Sequence, residues 1–226
     1  MSSQLPPLYL ISDAERVGED RLLKTIQQAC RGGLNLVQLR EPTWNVERLE
    51  SLALRLLEQV EQELALVVNC HPGTDFSPRL ELVERLGARG VHIGGGETGC
   101  VEEARKILGE AAVVGYSAHS QGEAARAFAC GANYVSLSPV FTPLSKQGDF
   151  EPLGLEQLSE ACSFLDGPVY ALGGIRVDMA SSIRLAGAAG AAVVSALLEA
   201  EDPAAAAEAF TGQWEERSPA SLSWPG

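Results

Sequence analysis

Short apolar runs recur along this chain, each followed by an amphipathic stretch, and this rhythm restricts the fold more than any other feature. The runs at 8–13 (LYLISD), 34–40 (LNLVQLR), 64–69 (LALVVN), 90–94 (GVHIG), 112–118, 133–140, 168–174 and 190–196 read as strands. Helical periodicity fills the intervals at 21–30, 46–62, 78–88, 100–108, 122–131, 155–165, 179–188 and 202–214. The last of these has Asp202 placed as N-cap and Pro203 at the first helical position. Three helix-to-strand junctions also read alike, GARGVHI (87–93), GANYVSL (131–137) and GAAGAAVV (187–194), each with a glycine closing a helix. Strands that alternate with helices imply parallel pairing and right-handed crossovers. An open doubly wound sheet and a closed barrel both satisfy that rule. Eight units in about 200 residues favour the barrel. The expected fold is therefore α/β, a (β/α)8 TIM barrel in a single domain over residues 1–214, with 215–226 as a polar C-terminal tail.

Composition narrows the partners. Apolar residues make up 46% of the chain, enough for a sizeable core. A formal charge of −13 repels polyanions, so nucleic acid is not an expected partner. A small anionic ligand would need a few local cations against that background. No apolar stretch reaches the ~18 residues of a membrane span, and the N-terminus has no basic-then-apolar secretion pattern. Cys30, Cys70, Cys100, Cys130 and Cys162 are odd in number and far apart, with no Cys-x-x-Cys pair. Free thiols in a reducing cytoplasm are the expectation. Self-association is compatible with the sequence but not specified by it.

Within a barrel, inward side chains fill the interior and chemistry gathers at the C-terminal strand ends. In the strand containing QLRE, Val37 and Leu39 would face the helices while Gln38 and Arg40 point inward. Burying a guanidinium requires a partner, either a carboxylate such as Glu41 or Glu97 or a bound anion; the anion is the favoured reading. Other strand ends carry Asn69-Cys70-His71, His92 through Glu97, and Ser117-Ala118-His119-Ser120. An irregular loop at 141–154 brings Ser145 and Lys146. Gly173-Gly174 and Val194-Ser195 end the seventh and eighth strands, where barrels commonly hold phosphate on backbone donors. An ordinary turn that needs glycine for its dihedral angles is the alternative there. His119 is a candidate for proton transfer or a satisfied structural histidine. His92 reads as a packing or loop-orienting residue, and Cys70 has no evident base partner.

QLRE (38–41), Asn69, HIG (92–94), SAHS (117–120), SPVF through Lys146 (138–146), ALGGI (171–175) and AVVSALLEAEDP (192–203) together resemble the thiamine phosphate synthase/TenI superfamily over residues 8–212. That resemblance implies a barrel binding a thiazole phosphate. It leaves two activities open: joining the thiazole phosphate to a pyrimidine pyrophosphate with Mg²⁺, or a metal-free proton shift that aromatises carboxythiazole phosphate. The chain departs from the synthase pattern at several points. Pro42 stands for the expected lysine, Cys70 for an aspartate, Gly95-Gly96-Glu97 for Gln-Glu-Asp, and Ser145 for a displaced hydroxyl. An inserted stretch after Cys70 carries Asp75. Mg²⁺ wants hard oxygen ligands, and a thiol is a poor substitute. The resemblance is therefore taken toward the TenI branch, a thiazole tautomerase with His119 and Lys146 catalytic. Gln38, Arg40, Asn69, Ser117, Ser145, Gly173, Gly174, Val194 and Ser195 would bind substrate or phosphate. No cofactor is favoured; Mg²⁺, with Glu97 as ligand, belongs to the synthase alternative. A non-catalytic barrel that binds thiazole or thiamine phosphate and regulates a partner is the third reading.

Overall fold

The computed structural model describes residues 6–60, 64–73, 75–142 and 151–215. Eight parallel strands close on themselves in chain order: β1 (Leu8–Ile11), β2 (Leu36–Leu39), β3 (Ala65–Cys70), β4 (Gly90–Ile93), β5 (Val113–Ala118), β6 (Tyr134–Leu137), β7 (Val169–Leu172) and β8 (Gly190–Val193). The barrel is sealed where β1 pairs with β8, Tyr9 opposite Ala192. Helices α1 (Ala14–Val17), α2 (Glu19–Arg31), α3 (Val46–Gln59), α4 (Phe76–Leu86), α5 (Gly99–Leu108), α6 (Gln121–Ala129), α7 (Gly154–Phe164), α8 (Ala180–Leu185), α9 (Ser195–Leu198) and α10 (Pro203–Glu215) fill the crossovers. The expected (β/α)8 barrel is therefore the fold. Among the described residues no helix is long and apolar enough to cross a membrane.

The strands are short, and both of their faces are buried. Outward residues such as Val37, Leu39, Val68 and Val91 pack with Leu22, Leu49, Leu80 and Val101 of the helices. The alternate residues fill the barrel interior, where Tyr9, Leu36, Val67, Val113, Tyr134 and Tyr170 form a second cluster. Tyr9, Tyr134 and Tyr170 meet edge to face with centroids 5.1–6.0 Å apart. Each such pair contributes about 0.5–1.5 kcal/mol beyond its buried area. Rings this large fit because small residues face them. A Cβ on Gly115 would lie 2.3 Å from Tyr134 Cζ, so any side chain there would expel the ring.

Local capping agrees with the sequence signals. Asn45 accepts the Arg48 amide at the start of α3, and Ser120 accepts the Glu123 amide at the start of α6. Asp202 Oδ1 accepts the amides of Ala204 and Ala205, each at 3.0 Å. Gly87, Gly131 and Gly187 take positive φ at the three junctions read as helix closures. Two short helices were not expected. The eighth strand stops at Val193, and Ser195 begins α9 in place of extending the strand to 196; α1 likewise occupies the β1–α2 connection. Both are single turns without an apolar stripe of their own, so periodicity could not mark them.

Candidate active site

At the C-terminal ends of β7 and β8 the chain turns twice around one cavity of about 330 Å³, whose wall includes Gly173, Gly174, Arg176, Val194, Ser195 and Glu199. Gly174 has φ +62°, and a Cβ on it would lie 2.6 Å from the Thr142 carbonyl oxygen, so only glycine lets these two segments approach. The turn is tied to the end of β6 by the Val140 amide on the Leu172 carbonyl (2.8 Å) and the Phe141 amide on the Gly173 carbonyl (3.1 Å). Arg176 is paired with Asp178, and Glu199 with Arg16. The four sequence candidates of this region thus border one space. Ser145 and Lys146 lie outside the described residues.

The floor of the mouth is polar, built from inward residues of the middle strands. Asn69 Nδ2 donates to the His92 carbonyl at 3.3 Å and to Gln38 Oε1 at 3.4 Å. That carbonyl can only accept, which fixes the orientation of the Asn69 amide and, through it, that of Gln38. Asn69 Oδ1 and Gln38 Nε2 then remain without hydrogen-bond partners, although both residues are buried. Burial raises the pKa of Tyr9, an effect partly offset by the neighbouring Ser136 and Gln38 side chains, and its buried hydroxyl makes no well-formed hydrogen bond. His92 is held from both sides, Nδ1 against the Tyr134 hydroxyl at 3.0 Å and Nε2 against Ser117 Oγ at 2.8 Å. Burial, with His71 and Arg40 adding positive charge nearby, pushes its pKa down to about 3, so the ring is neutral. The structure thus makes His92 the support of the Ser117 hydroxyl.

His119 stands at the end of β5. Its Nδ1 donates to the Ser138 carbonyl at 2.8 Å, and its backbone amide donates to Glu123 Oε2 at 2.8 Å. Glu123 also accepts the Tyr116 hydroxyl at 2.7 Å, so the strand end is braced against α6. A carbonyl partner requires the proton on Nδ1, which leaves Nε2 with the lone pair in the neutral ring. Nε2 lies beside the β4 loop, 3.9 Å from where a Cβ on Gly95 would be.

The remaining corner joins the ends of β2, β3 and β4. Glu41, weighed above as a partner for Arg40, turns away and accepts Ser12 Oγ at 2.7 Å and the Ala14 amide at 2.9 Å. Burial raises its pKa despite these bonds. Arg79 of α4 is buried and donates to the carbonyls of Asn69 (3.0 Å), Glu41 (3.0 Å) and Trp44 (2.9 Å), stitching two strand ends together. His71 packs closely on Gly94, just past the end of β4: a Cβ on Gly94 would come within 2.1 Å of its Cε1. Neither Arg79 nor His71 was singled out by sequence. Arg79 sits in an ordinary amphipathic helix, and only the fold brings His71 over Gly94.

This corner does not suit the magnesium ion that the resemblance implies. Cys70 packs into the outer core with no exposure, and burial pushes its thiol up to about 12. It faces the helices and cannot act as a hard oxygen donor. Pro42, Gly95 and Gly96 offer no side-chain donor, and Glu97 stands exposed on the β4 loop. Among the described residues no group of three or more His, Cys, Asp or Glu is placed to hold a metal.

A family model described as thiamine monophosphate synthase matches residues 8–197. A putative thiamine-phosphate synthase of Geobacter sulfurreducens is 36% identical over 204 residues, 90% of this chain and 92% of that one. A thiamine-phosphate synthase of Desulfitobacterium hafniense is 33% identical over 208 residues, 92% of this chain and 96% of the relative. Among solved structures, thiamine phosphate pyrophosphorylase from Pyrococcus furiosus superposes with TM-score 0.72 at 27% identity, over 92% of this chain and 95% of that one. Two of these relatives are named thiamine-phosphate synthases and the third a thiamine phosphate pyrophosphorylase; none of the three carries the tautomerase name. They back the synthase alternative better than the TenI branch and isomerase expected from the motif departures.

Proposed function

The chain belongs to the thiamine monophosphate synthase family, and from that premise we propose that it joins a phosphorylated thiazole to a pyrimidine diphosphate. The thiazole nitrogen would form the new C–N bond at the methylene carbon of the pyrimidine, and the C–O bond to diphosphate would break. The β7–β8 cavity would take the thiazole's phosphate on Gly173, Gly174, Val194 and Ser195. Ser145 and Lys146 are assigned to the same group from sequence. Catalysis here consists of holding two rings in line and stabilising the charge that develops on the leaving group.

One observation carries this reading over the proton shift. Asn69 Oδ1 is a buried acceptor without a donor, and an unsatisfied group of that kind costs about 1–3 kcal/mol. The exocyclic amine of the aminopyrimidine found in thiamine supplies an N–H for it. A carboxythiazole phosphate presents only acceptors in their place. Incubation with both substrates and Mg²⁺ tests the proposal: pyrophosphate and thiamine phosphate should appear in equal amounts. Neither product would form if the chain only isomerises the thiazole, or if it is a silent binding barrel.

The second reading, a thiazole tautomerase, is favoured by two features of the site. Cys70 is turned out of the corner where the resemblance places a metal-binding aspartate, and His119 has the tautomer of a general base. Exchange of solvent deuterium into carboxythiazole phosphate, lost in His119→Asn, would support it.

A further inference from the structure

Three inward positions lie side by side across the middle of the barrel. The register sets His92 of β4 beside Gly115 of β5, and Gly115 beside Tyr134 of β6. With no side chain on the central strand, the two flanking rings meet over the glycine, centroids 5.5 Å apart. A Cβ on Gly115 would lie 2.5 Å from the Tyr134 hydroxyl oxygen and 2.6 Å from His92 Nδ1. The 3.0 Å hydrogen bond between those two atoms therefore needs glycine at position 115. In the next inward row toward the mouth Ser117 is paired with Ser136, and His92 Nε2 reaches Ser117 Oγ at 2.8 Å.

The protons along this chain of contacts have one satisfactory arrangement. A neutral imidazole has one N–H and one lone pair, and His92 is neutral. Burial holds the Tyr134 phenol well above its usual range, so its O–H is retained. Among the described residues that hydroxyl has His92 Nδ1 as its one partner. A histidine proton on Nδ1 would leave the Tyr134 proton buried without an acceptor, which a protein interior penalises. With the proton on Nε2 every group is satisfied: Tyr134 donates to Nδ1, and Nε2–H donates to Ser117 Oγ. Ser117 then accepts from inside the barrel, and its own proton is free to point outward. Ser136 Oγ stands 3.4 Å from Ser117 Oγ, too far to hold that proton against a ligand acceptor at ordinary distance. Ser117 is half-buried, whereas His92 and Tyr134 are closed off from solvent.

We infer that Tyr134 is a positioning residue, which acts through His92 to make the Ser117 hydroxyl a hydrogen-bond donor toward an acceptor on the substrate. The inference rests on the proposed function for the identity of that substrate, the pyrimidine diphosphate. Asn69, assigned above to the pyrimidine's amine, is in register with His92, so the Ser117 donor stands on the same side of the mouth. The acceptor is a lone pair from one of two sources, a ring nitrogen or a diphosphate oxygen.

Nitrogen-15 NMR of the ligand-free full chain is the first test, and it needs no variant. His92 should carry its proton on Nε2 with Nδ1 bare; a proton on Nδ1 overturns the inference. The second test is a double-mutant cycle on kcat/KM for the pyrimidine diphosphate. Tyr134→Phe keeps the ring and removes the donor, and should lower this value about three- to tenfold. In a Ser117→Ala background the same substitution should change it less than twofold. Thiazole phosphate affinity, measured by calorimetry, should stay within twofold in Tyr134→Phe. Equal losses in both backgrounds, or parallel losses for both substrates, mark a merely structural tyrosine and overturn the inference, as does an unchanged kcat/KM in Ser117→Ala. The pyrimidine alcohol, which lacks the diphosphate, separates the two sources. Weaker binding of the alcohol to Ser117→Ala places the acceptor on the ring, and an effect confined to the diphosphate places it on the leaving group; both support the inference. Failure of the proposed function is distinguishable: wild type would form no thiamine phosphate, and the same cycle, read as Kd for carboxythiazole phosphate, would decide the role of Tyr134.

Discussion

Lowering the pH from 7 to 5 should cost this protein about 2 kcal/mol of folding stability through His92 alone. In the folded barrel the ring is buried against Tyr134 and Ser117, with Arg40 and His71 adding positive charge, and its pKa falls from 6.5 to about 3. In the unfolded chain the imidazole regains its ordinary affinity for a proton. Between those two values the unfolded state binds the extra proton, so the stability present above pH 6.5 drains away as the pH falls toward 3. At pH 5 the gap already in use is 1.5 pH units, and each unit is worth 1.36 kcal/mol, giving about 2 kcal/mol. Urea unfolding of wild type and His92→Asn at both pH values isolates the effect, because His71, His119 and the carboxylates are common to both proteins. The variant should be less stable at pH 7 but should lose about 2 kcal/mol less on acidification. Identical pH dependence in the two proteins would refute the reasoning, as would an NMR titration in which His92 protonates near 6.5.

Three other perturbations probe the remaining parts of the site. Gly174→Ala places a methyl 2.6 Å from the Thr142 carbonyl oxygen at φ +62°; calorimetry should find thiazole phosphate affinity reduced about tenfold or more, with a strain cost of about 1–3 kcal/mol in unfolding. Arg79→Met leaves three carbonyls without their donor and should destabilise the chain by about 3 kcal/mol or more, read as a fall in thermal midpoint. His119→Asn separates the two chemistries: coupling of the rings moves no proton through this residue and should stay within about tenfold in pyrophosphate release, whereas a proton shift that used it as base would slow by about 10²–10⁴.

The barrel was legible because period-two strands buried on both faces, punctuated by glycine caps, have few other solutions. Legibility extended to Gln38, whose inward direction follows from Val37 and Leu39 facing the helices. It also extended to the Gly173–Gly174 and Val194–Ser195 pair, because barrel geometry brings the ends of neighbouring strands together. Other parts depend on contacts across the fold. Cys70 follows Asn69 by one residue, and that single step of a strand turns its thiol out of the mouth and into the helix layer. Glu41 belongs to the same motif as Arg40 yet serves the β1 loop, a choice made by Ser12 from 29 residues away. Nothing in the local pattern marks Arg79, since its three acceptors come from two different strand ends. Motif departures led toward the tautomerase, but they registered which donors were lost without registering the unsatisfied Asn69 acceptor.

The most direct test is product formation from the two substrates together. With phosphorylated thiazole and pyrimidine diphosphate at saturating concentration, pyrophosphate should accumulate in step with thiamine phosphate, and omission of either substrate should abolish both. Release of no pyrophosphate by a folded protein that binds thiazole phosphate would contradict the account.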